Sequence, residues 1–215
     1  RLADQRRARG PFATNAQALN GTLIIPNVTV TTITLTNNGT LTVGTALAGT
    51  GGLTQGNTAT LNLGGTSAIS TLTANGGTNT VNYTGTGQTC KVTTYATLQY
   101  SGTNAFTCAV TTAANINFGG TTPTWTTGAA LTVSGTTTIT AGTITQGTLA
   151  MTTGSLVLNG GNLTTTSTAA IAFTVSGTTN LTNGTLSIPT ATGTKTFTGL
   201  VTVGNGGTMS GASTT

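Results

Sequence analysis

The chain has 215 residues and a formal net charge of +5, with six Lys or Arg, one acid, no histidine and only 3% charged residues. Beyond Gly10 the formal charges are Lys91 and Lys195 alone, and the single acid is Asp4. General acid–base and nucleophilic catalysis need a proton-transfer group beside the reacting atom, and metal sites need clusters of carboxylate, imidazole or thiolate ligands. Composition therefore points away from an enzyme and away from a metal or other cofactor.

Threonine is the commonest residue and Gly follows with 32, while hydrophobic residues make up 35%. Low charge with that much apolar content argues against disorder. Thr, Val and Ile favour strands and Gly and Asn favour turns, whereas good helix formers are scarce. An all-β fold follows. No apolar run approaches the roughly 18 residues that read as a membrane span.

In chain order, residues 1–20 read as a basic N-terminal arm carrying Arg1, Arg6, Arg7 and Arg9, broken at Gly10-Pro11. Its only aromatic neighbour is Phe12. A nucleic-acid surface interleaves basic residues with aromatics, so the arm reads as a tail that contacts another subunit, not as a nucleic-acid site. Residues 21–215 form one domain of short strands. Strands are expected at Thr22–Ile25, Val28–Leu35, Thr40–Val43, Thr60–Leu63, Val81–Tyr83, Asn115–Phe118, Leu131–Val133, Ser155–Leu158, Ala172–Val175, Thr185–Ile188 and Leu200–Val203. Turns are expected at Asn20-Gly21, Asn38-Gly39, Asn75-Gly76, Asn159-Gly160, Asn183-Gly184 and Asn205-Gly206.

The segment that opens Ala130-Leu-Thr-Val-Ser-Gly-Thr-Thr returns at Ala172-Phe-Thr-Val-Ser-Gly-Thr-Thr, and apolar strand centres recur at Leu41, Leu61 and Val81. The longer repeat reads as two units of about 20 residues. A unit that small cannot bury its own apolar face and must stack on its neighbours. The expectation is a single right-handed parallel β-helix, because parallel crossovers are overwhelmingly right-handed. An antiparallel β-sandwich is the alternative; one Trp and five Phe are few for a two-sheet core.

Cys90 and Cys108 stand about one unit apart. In a coil they stack on adjacent rungs roughly 4.8 Å apart, within reach of a disulfide. Two buried free thiols are the other reading. A bridge implies an oxidising, extracellular compartment.

The stretch from Asn79 to Thr103, with Asn79-Thr-Val-Asn-Tyr-Thr-Gly-Thr-Gly-Gln-Thr-Cys-Lys-Val at its start, and Thr194-Lys-Thr-Phe-Thr-Gly resemble modules of large bacterial β-strand-repeat surface proteins. The wider texture is similar to filamentous-haemagglutinin and autotransporter passengers. The resemblance implies a secreted β-solenoid used in adhesion or matrix building. No secretion domain, translocator or sorting domain is recognisable in the sequence, which leaves the export route open.

Tyr83, Tyr95 and Tyr100 are candidates for a carbohydrate-stacking patch or for simple strand packing. The resulting expectation is a structural subunit of an extracellular homopolymer, joined end to end through strand edges and the arm. A monomeric surface adhesin for a polysaccharide or host ligand is the alternative. An ice-binding protein built on Thr-x-Thr steps such as Thr143-Ile-Thr145 is a third reading.

Overall fold

A computed structural model describes residues 17–166, 170–189 and 193–211. Those residues form nineteen strands and no helix. Every strand pairing is parallel, and the chain winds as a β-solenoid of about 9 turns. The antiparallel sandwich is thereby excluded.

Most turns of the coil lay down strand on three faces; the turn between Tyr83 and Tyr95 carries only isolated bridges. On the first face, Leu35 lies beside Leu53 and Leu53 beside Leu72, and further along Tyr95, Ala113, Val133, Thr153, Val175 and Phe197 follow one another. The second face is continuous from end to end. Leu23, Leu41, Leu61, Val81, Leu98, Ile116, Thr137, Leu156, Thr179 and Val201 are successive register partners. The third face begins with Val28, Leu47 and Ser67, and closes with Phe106, Trp125, Ile144, Leu163, Leu186 and Met209.

Strand period dictates what is buried. Alternate residues point inward, so Leu61 and Leu63 are fully buried while Thr60 and Asn62, which alternate with them, face out. Stacking repeats that choice at every rung and produces one interior column of Leu, Val, Ile and aromatic side chains. On the outer side the amides form a ladder. Asn62 Nδ2 donates to Thr42 Oγ1 at 3.2 Å, Asn82 Nδ2 to Asn62 Oδ1 at 3.3 Å, and Ser101 Oγ to Asn82 Oδ1 at 2.9 Å.

Corners are cut by glycine. Gly44, Gly64, Gly85, Gly102 and Gly120 follow one another at the corner after the second face. A Cβ on Gly85 would lie 2.0 Å from the Gly64 carbonyl oxygen, and one on Gly102 would lie 1.9 Å from that of Gly85. The chain can therefore turn here at one rung's spacing only without side chains.

Several expected strands change extent. Val28–Leu35 is broken, because one strand ends at Thr29 and the next begins at Thr34. Asn183-Gly184 and Asn205-Gly206 are not turns but lie inside the long strands Thr179–Ile188 and Val201–Gly211. There a register shift beside Asn183 and a left-handed φ of 128° at Gly184 bend the strand without ending it. The coil reaches Gln17, whose strand Gln17–Leu19 pairs with Leu35–Asn37; strand structure thus extends ahead of Gly21.

Cys90 and Cys108 are joined, with Cα atoms 5.1 Å apart. Their neighbours Thr89 and Thr107 are bridge partners on adjacent rungs. The expected repeat of two units is also present: Leu131 pairs with Met151 and Met151 with Phe173.

Candidate functional site: the two ends of the coil

Chemistry on the described flanks is sparse, and no group of three or more His, Cys, Asp or Glu occurs among the described residues. Burial lowers the Lys195 pKa from its ordinary value, and its Nζ donates to the Ile171 carbonyl at 2.7 Å. Arg1, Arg6, Arg7 and Arg9 lie outside the described residues. No described helix is long and apolar enough to cross a membrane.

The three tyrosines do not form a surface patch. Tyr83, Tyr95 and Tyr100 are each at most 1% exposed. Tyr100 stacks on Phe106 with centroids 4.4 Å apart, and Phe106 meets Trp125 edge-on at 5.7 Å. Trp125 Nε1 donates to the Cys108 carbonyl at 3.1 Å. The aromatic residues of the middle coils are thus core, placed under the disulfide. Burial raises the pKa of all three tyrosines.

What stands out is the pair of terminal rungs. At the N-terminal end, Gln17–Leu19 pairs with the strand at Thr34–Asn37, and Thr22–Thr29 pairs only with Thr40–Gln55 among the described residues. Leu19, Leu23 and Ile25 are only partly buried there. Together with Val28, Leu35 and Leu41 they border an apolar cavity of about 120 Å³.

At the other end, among the described residues, Lys195–Phe197 and Val201–Gly211 pair on one edge only, against Phe173–Val175 and Thr179–Ile188. Leu181 and Leu186 are 0% exposed, yet their partners one rung further, Val203 and Met209, are 50% and 41% exposed. The same column positions lose their cover because no described rung lies beyond them.

The two ends share one layout. On the first face Phe197 stands in the column of Leu19. On the second, Val201 and Val203 stand in the columns of Leu23 and Ile25. Met209 and Val28 hold the third face. A parallel edge offering unpaired N–H and C=O groups above an apolar surface is a template for another strand. The column matching becomes visible only once the register is assigned.

In comparison with known proteins, the chain matches no family model, no curated protein and no solved structure.

Proposed function

We propose that the protein is a non-enzymatic structural subunit that joins end to end into an extracellular homopolymeric filament or sheath. The observation that carries this reading is the matching of the terminal rungs. Placing Lys195–Gly211 of one copy over Gln17–Thr29 of the next sets Phe197 over Leu19, Val201 over Leu23 and Val203 over Ile25. It also continues the parallel ladder.

A contact between two different surfaces of the same molecule is heterologous, and such contacts propagate into open filaments. The body is too weakly charged to repel its copies. The basic arm is the remaining ionic element, and in this reading it contacts the neighbouring copy. The disulfide supports an oxidising compartment.

The test is a variant with charge on the exposed apolar positions of the last rung, Val203→Lys with Met209→Lys. In sedimentation analysis the native chain should form large species that grow with concentration, and the variant should remain monomeric with an unchanged β-type circular dichroism spectrum. A native chain that stays monomeric at high concentration contradicts the proposal.

A further inference from the structure

The coils are not equal in length. Leu61 to Val81 spans 20 residues, but Val81 to Leu98 spans 17. The shorter coil cannot lay a strand over the whole of the preceding rung, and it omits the part above Thr66–Ile69. That segment pairs with Ala46–Gly49 on one edge and has no strand partner on the other among the described residues. Pairing resumes only at Ala74 with Tyr95.

The segment that should have covered it leans the other way. Gly87 and Cys90 donate backbone hydrogen bonds to the Thr103 and Thr107 carbonyls, each at 2.9 Å. The disulfide ties the same segment to Cys108. A side chain built on Gly87 would meet nothing within 4 Å. The result is a groove of about 400 Å³ between Thr66–Ala68 and Thr86–Cys90, with Thr45 at its border.

One end of this groove is built. Its closed end is the tight Gly64–Gly85 contact. Beside it the buried Gln88 side chain replaces the missing ladder, donating from Nε2 to the Leu63 carbonyl at 2.9 Å and to the Gly65 carbonyl at 2.7 Å. Gly85 N–H donates back to Gln88 Oε1 at 2.6 Å. Ser67 occupies the interior column position of Leu47, where an apolar residue is the rule, and its hidden Oγ has no hydrogen-bond partner. Small residues here leave room.

We infer that this groove binds a neutral, hydroxyl-rich ligand one or two sugar rings in size. Its walls carry Thr hydroxyls and the unpaired backbone edge of Thr66–Ala68. None of its lining side chains is charged. Such a surface exchanges hydrogen bonds with sugar hydroxyls and offers nothing to select an ion. A volume of 400 Å³ lies at the small end of ordinary ligand sites.

The experiment is saturation-transfer NMR on the intact, oxidised chain with glucose, N-acetylglucosamine, cellobiose and lactose as probes, followed by titration of any that respond. At least one should bind in the millimolar range or tighter. Ser67→Leu, which restores the apolar column and fills the groove, should weaken that binding tenfold or more. Thr66→Phe, an exposed strand position at the mouth, should do the same if Ser67→Leu does not fold. Asn117→Ala, on a different face, should leave it unchanged. Absence of binding by all four sugars, or binding that survives both groove variants, overturns the inference. Neither result bears on end-to-end assembly, which is read by sedimentation.

Discussion

The hydroxyls of Tyr83 and Tyr95 lie 3.0 Å apart inside the coil, and both engage the backbone of Lys91. Lys91 N–H donates to Tyr83 at 2.8 Å and Tyr95 donates to the Lys91 carbonyl, so Tyr83 is left to donate to Tyr95. The closed ring uses every proton it holds and positions the segment that carries Cys90. Ionising either phenol removes a donor and buries a charge, which is why burial raises both pKa values.

Stability should therefore fall at alkaline pH. Above the ordinary tyrosine value of about 10 the unfolded chain releases phenolic protons that the folded chain retains. The folded state then binds more protons, and unfolding becomes easier as pH rises. Each such tyrosine contributes a slope of up to about 1.4 kcal/mol per pH unit. Lys195, with its lowered pKa, works weakly in the opposite direction below its ordinary value. Urea unfolding at pH 9 and pH 11 should show a clear loss for the native chain and a smaller loss for Tyr95→Phe. Equal losses in the two proteins would mean that the ring is not the cause.

Reducing Cys90–Cys108 removes a constraint on the unfolded chain. For a loop of 18 residues the chain-entropy model gives a cost of about 3 kcal/mol. Denaturant unfolding with and without reductant measures it. A midpoint that does not move on complete reduction would show that the bridge adds nothing to the packing around it.

The glycine column at the corner gives a sharper contrast. Gly102→Ala places a methyl 1.9 Å from the Gly85 carbonyl oxygen, a backbone atom that moves only if two coils separate. A loss of roughly 2–4 kcal/mol is expected, in the upper range for single substitutions. Gly21→Ala meets nothing within 4 Å and should be nearly neutral. Similar midpoints for the two variants in thermal unfolding would contradict the close-approach argument.

Deletion of the arm should stop at residue 16, because Gln17 begins the first described strand. The shortened chain is expected to assemble more weakly than the full one while keeping its β-type spectrum. Assembly of the full chain should persist at high salt, since screening acts on the arm's charges and not on ladder bonds or apolar contacts. Filaments of unchanged stability after the deletion would make the arm dispensable.

The coil itself was legible because its determinants are local and repeated. Leu41, Leu61 and Val81 mark rungs by spacing, and the Ala130 and Ala172 segments mark two. Cys90 and Cys108 reveal the rung length from the side. Strands on the third face, such as Thr66–Thr73, Thr103–Phe106 and Thr121–Thr126, carry the same Thr-rich alternation as their connections, so nothing in the sequence separates them. Their burial is decided by the rung below. The sequence left Tyr83, Tyr95 and Tyr100 between a surface patch and strand packing, because inward and outward positions on a strand differ by one residue and only the register fixes which is which. The groove was invisible for a related reason: it results from one coil being shorter than its predecessor, a difference that appears only after register partners are assigned.

The central claim is end-to-end continuation of the coil, and electron microscopy of the concentrated native chain tests it most directly. Ten rungs from Leu23 to Val201, at about 4.8 Å each, give an expected axial subunit repeat of about 48 Å along an unbranched filament with a cross-β spacing running parallel to its axis. Isolated monomers at high concentration, or assemblies whose subunits meet side by side without that repeat, would contradict it.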